Sequence, residues 1–185
     1  MQEIIAQLTD TIRDAAAHRT PLCIRGGGSK DFYGGTLRGE LLSVAAYRGI
    51  IDYDPSELVI TARAGTPLAE IEAALRERGQ MLVFEPPHFD GLPAPPAPLP
   101  RASEGSVVAA TPQKRITTLG GCIAAGLSGP RRAYAGAARD TVLGVRMLDG
   151  KGDDLRFGGQ VMKNVAGFDV SRLLAGSLGT LGVIL

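Results

Sequence analysis

The sequence predicts an α+β protein of two small lobes sharing a cleft. Three observations point there. Residues 1–89 alternate helical and strand patterns. A proline-rich stretch, 90–115, breaks that order. From residue 116 onward the chain is rich in glycine and carries strand patterns of its own. At 185 residues the chain suits one domain or two small lobes, and it is long enough to bury a core.

Ile4, Leu8 and Ile12 recur every four residues beside Ile5, Ala15 and Ala16, an amphipathic helix. Pro21-Leu22-Cys23-Ile24-Arg25 reads as a strand ended by Gly26-Gly27-Gly28. Leu41-Leu42-Ser43-Val44, Gly49-Ile50-Ile51-Asp52-Tyr53 and the β-branched run Leu58-Val59-Ile60-Thr61-Ala62 read as three more. Thr66 is expected to cap a helix with Pro67 at its first position. Leu68, Ile71, Ala74 and Leu75 form that helix's stripe, and Gly79 stops it. Met81-Leu82-Val83-Phe84 is expected to be the next strand.

Eight of the twelve prolines fall between Pro86 and Pro112, which excludes ladder or helix there and fits an exposed insertion. A ligand for a partner domain is the other reading. In 116–185, residues 119–127 suit a tightly packed helix. A strand over 142–149 turns at Gly150-Lys151-Gly152-Asp153 and returns through Leu155-Arg156-Phe157. A short helix follows Asp169, and 181–185 begin a strand. A chain ending inside an apolar strand is expected to be a truncated one.

A net charge of +1 and few aromatics give no footprint for nucleic acid. Cys23 and Cys122 match no metal spacing, and no metal site is expected. They read as buried, reduced thiols. Without a secretory pattern or a membrane-length apolar run, a cytoplasmic protein is expected.

Three segments carry candidate chemistry. In Arg25-Gly26-Gly27-Gly28-Ser29-Lys30, consecutive glycines after a strand can turn several N–H groups toward one anion, with a hydroxyl and an ammonium beside them. A plain turn is the alternative. The order Ser29-Lys30 rules out a Walker A loop, and Asp31 stands where a Rossmann fingerprint needs its third glycine. The second segment, 118–130, is small at almost every position and suits either a large flat ligand or close helix packing. The third runs from Gly167-Phe168-Asp169 through Gly176, Gly179 and Gly182. Fourteen of the 25 glycines lie between Gly120 and Gly182, which suggests backbone closely approached by something.

In order and spacing these segments resemble the FAD-binding domain of the p-cresol methylhydroxylase and vanillyl-alcohol oxidase family. Its pattern is a triple-glycine loop, Thr-Leu-Gly-Gly, a Tyr-x-Gly with a following Asp, and Gly-Ser-x-Gly-Thr-Leu-Gly-Val-Ile. Tyr134-Ala135-Gly136 and Arg139-Asp140 take the middle place. Longer strings are similar to the FAD-binding subunits of bacterial glycolate oxidases. These include Tyr53-Asp54-Pro55-Ser56-Glu57, Phe84-Glu85-Pro86-Pro87-His88-Phe89, Gly129-Pro130-Arg131-Arg132 and Phe157-Gly158-Gly159-Gln160-Val161-Met162-Lys163-Asn164. The resemblance spans nearly everything outside 90–115.

The resemblance implies a two-lobed fold with FAD in the cleft, between an N-terminal α/β lobe and a mixed-sheet lobe. Arg25, Gly26, Gly27, Gly28, Ser29 and Lys30 are then expected at the pyrophosphate. Thr118, Gly120, Gly121, Ala125, Gly126 and Ser128 are expected along the flavin and ribityl chain. Gly179, Thr180, Gly182, Val183 and Ile184 are expected to reach the cofactor through main-chain atoms. It implies oxidation of glycolate, a small 2-hydroxy acid, to glyoxylate. The partners implied are a homologous flavin subunit and an iron–sulfur subunit, possible tethers to the inner face of the cell membrane. The other reading is a non-catalytic FAD-carrying subunit. Some relatives attach FAD through a histidine in the first loop. Ser29 stands there, and the histidines are His18 and His88, so non-covalent FAD is expected. The family's substrate cap is expected beyond Leu185. For catalysis the candidates are His88, a general base, and Arg131, a carboxylate clamp with Arg132 or one of a solvated pair.

Overall fold

The computed structural model describes residues 1–35, 37–91, 115–160 and 167–185. Most of the proline-rich stretch lies outside them, as do Lys163 and Asn164. Helix α1 (Gln2–His18) buries Leu8, Ile12 and Ala15, the stripe that the periodicity predicts. Strand β1 (Leu22–Arg25) pairs in parallel with β2 (Glu40–Ser43), Cys23 opposite Leu41. A parallel pair needs a long connection. Here that connection carries the glycine loop. Strands β3 (Ile50–Asp54) and β4 (Val59–Ala62) form an antiparallel hairpin. Its turn is fixed by Asp54, whose Oδ1 accepts from the Ser56 and Glu57 amides.

Helix α2 (Leu68–Glu77) has Pro67, not Thr66, at its N-cap. Thr66 is fully buried, and its Oγ1 accepts from Gly49 N–H at 2.9 Å. The first helical amide, Leu68 N–H, bonds to Thr117 O at 2.9 Å instead. Tertiary partners thus replace the expected cap. The expected strand at 81–84 joins no ladder among the described residues. Its alternation is real, with Phe84 buried and Met81 and Val83 exposed. Pro86 and Pro87 follow at once and supply no amide donors. The segment's backbone is held through Glu85 N–H to Ser128 O.

Helix α3 (Leu119–Ala125) is capped by Thr118 and closed by Gly126. Two one-turn helices that the periodicity did not predict follow, α4 (Arg132–Ala135) and α5 (Ala138–Thr141). Strand β5 (Gly144–Leu148) is the centre of an antiparallel sheet. It lies between β6 (Asp154–Gly158) and β7 (Val183–Ile184), with α6 (Val170–Leu174) between them in sequence. The expected β5–β6 turn is nailed by Asp149 Oδ1, which accepts from Lys151 and Asp153 amides at 2.8 and 2.9 Å.

Both hydrophobic cores draw on residues from either side of 92–114. One joins Leu8 and Ile12 of α1 and Leu42 of β2 to Leu148, Val183 and Leu185. The other joins Leu68 and Phe84 to Cys122, Ile123 and Ala138. Leu68, Ile71, Leu148 and Leu174 are essentially inaccessible, each worth roughly 2–3 kcal/mol of burial. The cleft is therefore set in a frame braced by shared cores.

Candidate functional site

A cleft of about 190 Å³ opens where the glycine loop meets α3. The strand β1 delivers the loop, and the short strap 115–118 presses on it from behind. Ile116 N–H donates to Gly27 O at 3.0 Å, and Ile116 also bridges Gly28 in parallel fashion. A Cβ on Gly27 would stand 2.0 Å from Ile116 O, and one on Gly28, at φ +70°, would stand 2.5 Å from the Arg25 guanidinium. The loop needs glycine because backbone and side chain already occupy the space.

Arg25 turns away from a role as a simple anion donor. Its Nε and Nη2 meet Asp31 Oδ1 and Oδ2 at 3.1 and 2.5 Å, a bidentate pair with both side chains nearly buried. The pair closes the loop like a clasp, with residues 26–30 between its arms. Inside, Ser29 is buried and receives a weak bond from Lys30 Nζ at 3.4 Å. No ion pair holds Lys30 among the described residues. Burial lowers its ammonium pKa below the usual value, with Cys122 and Asp90 pulling the other way. The ammonium also stands 5.9 Å from the Phe89 ring centroid.

Opposite the loop, Thr118, Gly121 and Ala125 face the cleft, as does Ala124. Cys122 points into the core instead. Burial pushes its thiol up to about 11, with Lys30 opposing. Leu178 completes the lining from the third segment, with its backbone at φ +53° and its N–H bonded to Ala124 O at 2.9 Å. A non-glycine residue at positive φ is uncommon and is held here by that bond.

The structure thus brings Arg25, Gly26, Gly27, Gly28, Ser29, Lys30, Thr118, Gly121 and Ala125 to one cleft. The other predicted residues stand behind it. Gly120 packs on Ala64, and Gly126 packs on Gly176. Ser128 Oγ accepts from Ala138 N–H and donates to Gly126 O. Gly179 backs onto Ile24, while Thr180 Oγ1 bonds Ser177 O. Gly182 crowds Met147, and Val183 and Ile184 form β7. His88 and Arg131 are outside the lining. His88 sits between Glu72 and Asp90, and Arg131 N–H bonds Glu85 Oε2 at 3.1 Å. Sequence reasoning missed Cys23, Ile24, Asp31, Tyr33, Gly34 and Leu37. Asp31 was legible as the only acid beside the loop, six residues from Arg25.

The cleft's residues fit an anionic dinucleotide cofactor. A cradle closed to any Cβ and a half-buried ammonium that no ion pair holds among the described residues suit a pyrophosphate. Ile24, Ala124, Ala125 and Leu178 offer an apolar wall for a flat ring. Among the described residues no cluster of His, Cys, Asp and Glu could hold a metal, and no helix is long and apolar enough to cross a membrane.

Residues 3–91 match the family described as FAD binding domain. The chain is 48% identical over 177 residues to the glycolate oxidase subunit GlcE of Escherichia coli (strain K12), covering 96% of this chain and 44% of that protein. It is 31% identical over 170 residues to the glycolate oxidase subunit GlcD of Bacillus subtilis (strain 168), covering 90% and 31%. The chain thus spans less than half the length of these relatives. Among solved structures, an alkyldihydroxyacetonephosphate synthase superposes with a TM-score of 0.61 at 19% identity, over 96% of this chain and 28% of that one. Residues 3–91 are thus similar to the FAD binding domain family, and the chain shares the α+β fold of that synthase.

Proposed function

We propose that the chain is the FAD-holding part of a flavin-dependent 2-hydroxy-acid oxidoreductase, with glycolate the substrate of the assembly and glyoxylate its product. The observation that carries this reading is the convergence of the glycine loop, α3 and Leu178 on one cleft. The similarity to two glycolate oxidase subunits supports the substrate. Gly26, Gly27, Gly28 and Ser29 would hold the pyrophosphate, with Lys30 supplying its countercharge. Thr118, Gly121 and Ala125 would line the ring and its linker. Bound FAD supplies a two-electron acceptor. The chain's own contribution is to bind and orient it and to keep water from its buried face. The loop offers no histidine, so the cofactor is held without a covalent bond. Partners in this reading are a homologous flavin subunit and an iron–sulfur subunit, and the site of action is the cytoplasm, at the inner membrane face through those partners.

A second reading is favoured by one observation. The titratable groups lining the cleft are Cys23, Arg25, Lys30, Asp31 and Tyr33, and Arg25 and Asp31 are committed to each other. His88 and Arg131 stand elsewhere. A chain so furnished suits an FAD carrier whose substrate is oxidised in the homologous partner. Anaerobic addition of glycolate to the purified flavin-loaded subunit separates the two. Bleaching of the flavin band supports the first reading. A band that bleaches only when the partner is added supports the second. A chain that takes up no FAD refutes both, and yellow colour that stays with the acid-precipitated chain refutes non-covalent attachment.

A further inference from the structure

Three consecutive residues, His88-Phe89-Asp90, touch both walls of the cleft without entering it. His88 Nε2 lies 2.9 Å from Glu72 Oε1 on α2, and its Nδ1 lies 3.6 Å from Asp90 Oδ2. Asp90 Oδ1 accepts from the Thr117 amide, and Phe89 N–H donates to Thr117 Oγ1 at 3.1 Å. Thr117 leads into Thr118, the cap of α3 and a lining residue of the cleft. On the other wall the Phe89 ring meets Phe32 edge-on, centroids 5.1 Å apart, and lies under the Lys30 ammonium.

Both ring nitrogens of His88 therefore face carboxylates. A neutral imidazole can bond Glu72 alone; an imidazolium also attracts Asp90 across 3.6 Å, a contact of charge and not a hydrogen bond. The charged groups around it are Glu72 from α2, Asp90 from its own segment and Lys30 from the glycine loop, the last acting on Asp90. Without the imidazolium, two carboxylates are left facing one neutral ring, and the acid that fixes the Thr117 amide loses a partner.

We propose that His88 is a positioning residue: its imidazolium clasps Glu72 and Asp90, holds both cleft walls in register for the cofactor, and its deprotonation lowers the affinity for FAD. This rests on the reading of the cleft as an FAD site. The test is FAD titration by flavin fluorescence on the whole chain from about pH 5 to about pH 8, the interval in which imidazoles change charge. In the wild type Kd rises about fivefold across it, the scale of one charge-assisted contact at a half-exposed site. His88→Gln binds weakly at both ends with a flat profile. His88→Lys, which keeps its charge throughout, is flat and tight. A His88→Gln chain that keeps the wild-type Kd and profile overturns the proposal. A chain that binds no FAD at any pH sinks the cofactor reading itself. Amide exchange without FAD tells that failure apart. Protection at Thr117 and Gly121 that falls with pH in the wild type but not in His88→Gln upholds the clasp, and equal protection in both overturns it.

Discussion

Replacing Gly27 by alanine tests whether the glycine loop is built by close backbone contact. The new Cβ would stand 2.0 Å from the Ile116 carbonyl oxygen and 2.8 Å from its carbon. An unstrained C···O contact needs about 3.3 Å, so loop and strap must part by roughly 1.3 Å. The obstacle is backbone, and no rotamer change relieves it. Parting breaks the 3.0 Å bond from Ile116 N–H to Gly27 O, costing about 1 kcal/mol. Overpacking adds about 1–3 kcal/mol, for a total of roughly 2–4 kcal/mol. In a chain of this size that lowers Tm by roughly 4–16 °C. The donors of the loop move with it, so Kd for FAD rises about tenfold or more, the worth of one misplaced charge-assisted bond. Gly159→Ala is the control, because an added Cβ there meets nothing within 4 Å. Thermal melts and flavin titrations of both variants decide. A Gly27→Ala chain that melts and binds FAD like the wild type refutes the account of the loop.

Three other perturbations probe the frame. Asp31→Asn strips the Arg25 guanidinium of its carboxylate in a nearly buried pair, so urea unfolding should show a loss of about 3 kcal/mol and FAD binding should weaken with it. The Cys122 thiol has its pKa raised from 9.0 to about 11 in the folded chain. Its contribution is complete below about pH 9 and is lost as pH rises through the folded value; the wild type's stability relative to Cys122→Ser should fall by roughly 2–3 kcal/mol over that window, as urea midpoints at alkaline pH would show. Hydrogen bonds from the Asp153 and Lys151 amides lower the Asp149 pKa. Its contribution is present above about pH 4 and fades as pH falls through the lowered value, so the wild type's advantage over Asp149→Asn in urea should vanish in strong acid.

The elements legible in the sequence were those whose signal is local. The period of Leu8, Ile12 and Ala15 marks α1, and the β-branched run before Ala62 marks β4. Asp169 before an apolar turn marks α6, where its carboxylate does accept from Arg172 N–H at 3.1 Å. What was not legible depends on distant partners. Thr66 has the side chain of a cap, yet Gly49 claims it across the fold. Residues 81–84 alternate like a strand and find no strand partner among the described residues. Helices α4 and α5 are single turns, too short for a periodicity. Of the site, the glycine loop and α3 could be read because close backbone approach demands small residues. The role of Arg25 could not, since a positive side chain beside a phosphate-like loop looks the same whether it meets ligand or Asp31.

The strap at 115–118 explains why the three segments act as one site. Ile116 holds the glycine loop through Gly27, and Thr117 O receives the first amide of α2. The Thr117 amide and hydroxyl fasten Asp90 and Phe89, and Thr118 starts α3. Leu119 N–H and Gly120 N–H then bond Thr66 O and Ala64 O at 2.9 and 2.8 Å. Five consecutive residues, 116–120, thereby fix one wall of the cleft against the other and both against the end of β4. In sequence Ile116-Thr117-Thr118 is a short β-branched run after a proline-rich stretch, and Thr118 and Gly120 stand out only through the small-residue segment they open. Their importance follows from backbone bonding, which any residue can supply. A glycine loop can be recognised by what it excludes, but the segment that makes the exclusion necessary is visible only in the fold.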